Sequence, residues 1–336
     1  MELEKRCLRI GAAVIGCAIF FRLLSGGAMG TVVKAMSDPE VASFLLYMET
    51  GRIVRMPEPE PQAPTQPATV EATIPVDVTV PAEPVQAVFS AEDASLVQIN
   101  NSCGYDTDVA GWLTSSLDWD LTQDGPAVLI LHTHATESYE NTEGYQSSGN
   151  YRTLDEGYNM LSIGDRVAQL LEDSGIQVIH DRELHDYPSY NGSYNHARDA
   201  IATYLEQYPT IRLVLDLHRD AATDSSGNQV RHTVSTADGN AAKLMMVVGT
   251  DAGGLTHPKW QENMALAVKL NAQLEKLQPG ICRPICLRSQ RFNQDLSAGA
   301  LLIEVGTAGN TRQEALMAAE YLAESIVSLA SGAVCQ

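Results

Sequence analysis

Three apolar stretches of this chain run into side chains that a buried strand does not need. "LILHTHATESYE" (residues 129–140) ends in His132, His134 and Glu137, "LDLHRD" carries Asp216, His218, Arg219 and Asp220, and "LLIEVG" carries Glu304. Two imidazoles and one carboxylate, with one position left open, are the usual donor set of a hydrolytic zinc site, and a further carboxylate beside them accepts a proton from water. Taken singly, each residue has a plainer reading: a strand-end histidine hydrogen-bonded in place, or a carboxylate that meets an arginine. Taken together they set an expectation of His134, Glu137 and His218 as metal ligands and Glu304 as general base. The spacing His134-x-x-Glu137 lets a tight loop bring both side chains to one ion, and His218 closes the triangle from a neighbouring strand. His132 competes with His134; as the strand's last residue it is expected behind the ligands, orienting them. Arg219 and Asp220 stay open between a salt bridge holding their loop and contact with substrate.

Such a site needs rigid elements to hold it. "AVLILH", "IQVIHD", "IRLVLDLH", "KLMMVVG" and "ALLIEVG" are apolar runs of strand length. Between them, Leu161, Val167, Leu170 and Leu171 recur at helical spacing before Gly175, as do Tyr194, Ala197, Ile201 and Tyr204. A long helix is expected around "WQENMALAVKLNAQLEKL", and Thr311 with Glu314 forms a capping box for a closing helix. The alternation predicts an α/β fold with a mostly parallel sheet covered by helices on both faces. In such sheets catalytic groups gather at the carboxyl ends of the strands. His180, His185, His232 and His257 show no partners and are expected to face solvent. There is no G-x-S-x-G elbow and no cysteine beside a histidine base, and "GTDAGG" reads as a turn rather than a phosphate loop.

The 336 residues hold 42 acidic against 22 basic side chains, a formal net charge of -20, which argues against nucleic acid as a partner. Six scattered cysteines argue against a four-cysteine zinc site; Cys282 and Cys286 alone are close enough in sequence to raise a bridge, which is the minor reading. Residues 1–30 carry Lys5, Arg6 and Arg9 ahead of an apolar run from Ile10 to Phe21, and read as a basic cytoplasmic end and a transmembrane anchor, with a cleaved signal peptide as the alternative. Residues 31–90 hold an amphipathic patch and then a Pro/Glu/Thr-rich tether over 57–86. This composition cannot build a core and stays extended. Residues 91–124 read as a lead-in and 125–332 as the catalytic domain.

The segments "HTHATESY", "NMLSIGDRVAQLLEDSGIQVIHD", "YPSYNGSYNHARDAI", "LDLHRDA" and "RFNQDLSAGALLIEVGTAGNT" together resemble the stage II sporulation protein P family, membrane-anchored peptidoglycan hydrolases. The resemblance covers about residues 125–330 and the anchor-and-tether layout. It implies the fold of zinc-dependent N-acetylmuramoyl-L-alanine amidases and cleavage of the bond between the glycan's lactyl group and the first alanine of the stem peptide. It also implies an association with cutting peptide crosslinks. The family's site falls on His134, Glu137, His218 and Glu304, with Glu156 as the fallback for the ligand glutamate, and Thr307 stands where a glycine is expected. The partners implied are sporulation proteins D and M of the same stage, at the septal membranes during engulfment, with the catalytic domain on the extracytoplasmic side. The runner-up readings are a zinc endopeptidase acting on stem peptides and a catalytically inactive wall-binding module.

At about 3 Å per residue the tether reaches on the order of 90 Å from the bilayer. Shortening residues 57–86 to about ten residues is therefore expected to spare activity on isolated wall but to reduce function in cells, since the domain would stand only about 30 Å off the membrane. Undiminished function in cells at normal protein levels would overturn the tether's role.

Overall fold

Short apolar runs separated by amphipathic helices fold here as their periodicities require. The computed structural model describes residues 86–336 apart from 118, 143, 333 and 336; the anchor, the amphipathic patch and most of the tether lie outside them. Among the described residues no helix is long and apolar enough to cross a membrane.

Seven strands form one sheet: β1 (Ile99–Asn101), β2 (Val128–Leu131), β3 (Val178–His180), β4 (Leu213–Asp220), β5 (Leu244–Gly249), β6 (Ile285–Arg288) and β7 (Ala300–Thr307). Their spatial order is β1-β6-β5-β7-β4-β2-β3. Every pairing is parallel except β5 with β7. The helices are α1 (Val109–Thr114), α2 (Met160–Asp173), α3 (Ser193–Gln207), α4 (Trp260–Leu277) and α5 (Arg312–Leu329). The five expected strands are present. The stretch read as a lead-in supplies β1 and α1, and β6 lies in a segment whose cysteines and arginines gave no clear strand pattern.

The caps agree with the sequence. Glu314 N donates to Thr311 Oγ1 while Thr311 N donates to Glu314 Oε2, which completes the box that opens α5. Asn159 caps α2, and Gly175 beyond its end takes φ 82, the left-handed conformation a glycine adopts without strain.

Strand alternation sorts the side chains onto two faces. Ile130, Leu215, Leu217, Met246, Leu301 and Ile303 point to one face and join residues of α2, α4 and α5 in the main core. On the other face Leu129, Leu131, Val214 and Ala300 meet Ala197 and Ile201 of α3. Beyond α3, Met245, Val247, Cys286 and Leu302 form an apolar patch against which, among the described residues, the partly buried Phe292 packs. The helical cover expected on both faces is thus complete on one and partial on the other. The cause lies in the connection from β4 to β5, which is a hairpin (Thr233–Thr236 with Gly239–Ala242) and carries no helix to lay over β5 and β6.

Cys282 and Cys286 are free thiols, so the minor reading of a bridge fails. The solvent-facing placement of the histidines also needs correction, because loops over the strand ends carry His185 and His257 into the interior. His185 Nε2 lies 3.0 Å from Asp181 Oδ2, a partner four residues earlier. His180 and His232 are half-buried. Nothing in the structure explains why both ring nitrogens of His257 are buried without a partner.

Helix α2 approaches the sheet closely at Gly164, where a Cβ would lie 2.4 Å from His180 Nε2 and 2.5 Å from His132 Nε2. Gly164→Ala is therefore expected to cost about 1–3 kcal/mol, the usual penalty of overpacking, despite alanine's better helix propensity. A lower urea midpoint at unchanged slope would register it; an unchanged midpoint would mean that the imidazoles move aside freely.

Candidate active site

The polar residues sit on the part of the sheet face that α3 leaves bare. Alternation along β4 sends Asp216 and His218 to that face, and the β4–β7 register makes Glu304 the partner of His218 and Leu302 the partner of Asp216. Thr133, just past the end of β2, holds Asp216 through its amide (2.8 Å) and its hydroxyl (2.6 Å). Asp216 Oδ1 in turn lies 2.8 Å from His218 Nε2, off the line of an N–H donor, which leaves His218 Nδ1 facing Glu137 Oε2 at 3.7 Å.

Glu137 is turned inward by a tight loop in which its amide donates to His134 O (3.1 Å). Its carboxylate accepts from the Arg219 amide and from Arg152 Nη2, each at 3.3 Å. The His134 ring stacks on Tyr190, with centroids 4.6 Å apart, and the Arg152 guanidinium lies over the Tyr190 ring, 4.8 Å from its centroid. His134 stands edge-on to His218 with centroids 5.3 Å apart. Asp186 fixes this corner by accepting from the Thr136 hydroxyl and from Arg152, with His134 Nδ1 4.0 Å away.

The structure brings His134, Glu137, His218 and Glu304 into one pocket of about 270 Å³, with Tyr194, Arg219 and Asp220 on its lining. Arg219 and Asp220 are not paired with each other. Arg219 donates to the carbonyls of Ser138 and Tyr151, whereas Asp220 accepts from Arg283 Nη1 at 2.8 Å. His132 lies elsewhere: fully buried, with Nδ1 2.9 Å from Leu217 O and Nε2 2.9 Å from His180 Nε2. Glu156 is exposed and paired with Arg182 at 2.6 Å. The sequence reading missed Arg152, Asp186, Tyr190 and Tyr194. The aromatic-rich stretch "YPSYNGSYN" was the available signal for the two tyrosines, and the two charged residues stood in polar loops with nothing to join them.

Burial, with His218 and Arg152 nearby, lowers the His134 pKa to about 4, so this imidazole is neutral. Burial opposes a charge on His218 as well, but the Asp216 carboxylate against it outweighs that cost and raises its pKa to about 9. Burial raises Glu304 to about 8; His218 opposes the rise and Glu137 reinforces it. Burial and the surrounding carboxylates push the Tyr194 phenol far up, so it remains a donor.

Among the described residues no three His, Cys, Asp or Glu side chains stand at finished metal-site geometry. The donor chemistry nevertheless fits zinc. His134 Nδ1 and Glu304 Oε2 are buried without a hydrogen-bond partner, a costly state that a bound group at this pocket relieves, and His218 Nδ1 is the nitrogen left facing Glu137. Two ligands of one tetrahedral zinc at about 2.0–2.1 Å stand about 3.3 Å apart, close to the separation of Glu137 and His218. Asp216 behind His218 is the carboxylate that commonly orients a ligand imidazole.

In the metal-free folded chain Glu304 keeps its proton up to about pH 8, while the unfolded chain releases it near 4.5. The folded state therefore holds the extra proton between these values, and the stability it contributes falls as pH rises through that window. Glu304→Gln stays neutral, so with chelator present it is expected to gain on the wild type by up to a few kcal/mol between pH 5 and pH 8. Urea unfolding at both pH values measures this; a constant difference would overturn it.

A family model described as Stage II sporulation protein P (SpoIIP) matches residues 63–327. Stage II sporulation protein P of Bacillus subtilis (strain 168) is 26% identical over 215 residues, which cover 60% of this chain and 51% of the relative. The chain thus spans about half the length of the curated relative that it matches. Among solved structures, the N-acetylmuramoyl-L-alanine amidase AmiC2 of Nostoc punctiforme aligns at 18% identity with a TM-score of 0.38, over 61% of this chain and 97% of that one. An N-acetylmuramoyl-L-alanine amidase from Clostridium difficile 630 aligns at 15% identity with a TM-score of 0.36, over 61% of this chain and 96% of that one. With a family model matched along most of its length, the chain belongs to the stage II sporulation protein P family.

Proposed function

We propose that this protein is a zinc-dependent peptidoglycan hydrolase that cleaves the N-acetylmuramoyl-L-alanine amide bond during engulfment. In this reading residues 8–30 hold it at the membrane, its catalytic domain lies on the extracytoplasmic side, and sporulation proteins D and M of the same stage are its partners. The observation that supports the chemistry is the joint placement of His134, Glu137, His218 and the unpartnered carboxyl of Glu304 in one pocket of a sporulation-family chain.

His134, Glu137 and His218 would hold the zinc. When bound, zinc supplies Lewis acidity and a positive charge that favours the ionised form of Glu304. Glu304 accepts the proton of the attacking water and passes it to the alanine nitrogen as the amide C–N bond breaks and the new C–O bond forms. Tyr194, kept protonated, faces the same space as a donor for the carbonyl oxygen. Asp216 and Thr133 hold His218 in place, and Arg219, fixed by two carbonyls, keeps Glu137 turned inward.

Glu304→Gln is expected to keep the metal and lose about two to four orders of magnitude in rate, because an amide still hydrogen-bonds water but cannot take its proton. His134→Ala or His218→Ala is expected to lose zinc and activity together with secondary structure intact. Metal content and the masses of fragments released from purified peptidoglycan should be read on the same preparations. New N-terminal alanine supports the amidase, newly freed crosslink termini would replace it with an endopeptidase, and a His218→Ala variant with one equivalent of zinc and full rate would remove His218 from the ligand set.

A further inference from the structure

The pocket extends beyond the four polar residues along the bare sheet face. Its far wall is apolar, made by Met245, Val247, Leu302 and Phe292, and at its rim stands the exposed Arg288. Alternation along β6 puts Cys286 and Arg288 on the same face as Met245, Val247 and Glu304, and Arg288 Nη2 lies 3.9 Å from Cys286 Sγ, against that wall. The wall is held in place by its own connection. Phe292 (φ 50) and Asn293 (φ 58) take successive left-handed conformations that set Phe292 against the patch, and Asn293 Nδ2 donates to Tyr194 O at 2.8 Å.

Arg288 differs from most arginines of this domain, which are paired with carboxylates, as Arg198 is with Asp295 and Arg283 with Asp220. Among the described residues the Arg288 guanidinium has no carboxylate partner, in a chain whose formal net charge is -20. A planar fork of donors left open beside an apolar wall matches the two oxygens of a ligand carboxylate.

The sheet itself measures the separation. Glu304 faces Met245 across β7–β5, and Arg288 faces Gly249 across β5–β6. Two strand spacings of about 4.8 Å and four residues of about 3.3 Å place the two Cα atoms roughly 16 Å apart. After both side chains reach inward, the remaining gap is about the length of two or three extended residues.

We infer that Arg288 is a specificity-determining residue that binds a carboxylate on an acidic peptide, roughly two residues from the bond that is cut, while the apolar wall receives the small side chain between. The inference rests on the amidase reading for which bond that is, but not for the binding itself. In the substrate proposed above, the residue after the first alanine carries such a carboxylate when its α-carboxyl is free and lacks it when that group is an amide.

The test uses the full chain in detergent with Glu304→Gln, so that ligand stays intact, and two probes: N-acetylmuramoyl-L-alanyl-D-glutamate and its α-carboxamide. Titration calorimetry is expected to show the acid bound about tenfold tighter. Adding Arg288→Gln should make the two forms bind equally, and Arg288→Lys should restore part of the preference through charge alone. No preference before the change, equal weakening of both forms by Arg288→Gln, or no binding of either form would overturn the inference. A preference that Arg288→Gln abolishes, in a protein whose wild type releases no alanine-terminated product, would sustain Arg288 and instead remove the amidase reading.

Discussion

The contact between Asp216 and His218 is the one on which the polar half of the sheet depends. Two charged side chains on a sheet face with little water are tolerable only if each satisfies the other, and Thr133 completes Asp216 from the adjacent strand's end. That pairing settles which nitrogen of His218 is left for the pocket. It also places a positive charge beside Glu304 and Glu137, two carboxyl groups buried in the same pocket. The arginines continue the same logic outward: Arg152 and Arg219 hold Glu137 inward, and Arg152 carries the bond on to Asp186. The site is therefore one connected electrostatic unit spread over β2, β4, β7 and two loops.

The fold leaves room for that unit by omission. Each parallel connection that carries a helix buries the apolar side chains beneath it, and α3 does this for β2 and β4. The connection into β5 is a hairpin, so no helix lies over Met245 and Val247, which line the pocket beside the polar residues. Reversal of β5 against β7 brings the start of one strand beside the end of another, which sets an apolar wall next to Glu304. The clustered polar residues and the apolar wall thus come from different chain segments that share one surface.

Much of this was legible in the residues. The five apolar strands, the capping box at Thr311 and the cluster of His134, Glu137, His218 and Glu304 follow from run length, local chemistry and the habit of α/β sheets, all short-range signals. The missing pieces depend on long-range geometry. Strand β6 reads poorly because one of its faces carries a buried Cys286 beside an exposed Arg288 in place of a regular pattern. The partial cover of the second face depends on which connection lacks a helix and on where it lands. Asp186 and Arg152 could not be joined in advance, because their link to Thr136 and Glu137 exists only after two loops close over each other.

The pairing of His132 with His180 has a consequence best stated as a proton inventory. Along the line from Leu217 O through both rings to Asp165 there are three contacts, of 2.9, 2.9 and 3.0 Å, with an acceptor at each end. Three such contacts need three protons, and two neutral imidazoles bring two. Burial holds His132 to about 3 and His180 to about 4, so near neutral pH the line is one proton short, and Arg182, which also bonds Asp165, offsets the carboxylate's charge from the side. Both nitrogens of His132 are spent on this arrangement. The two histidines of "HTH" thus divide into one that belongs to the interior's own hydrogen bonding and one that stays available to the pocket.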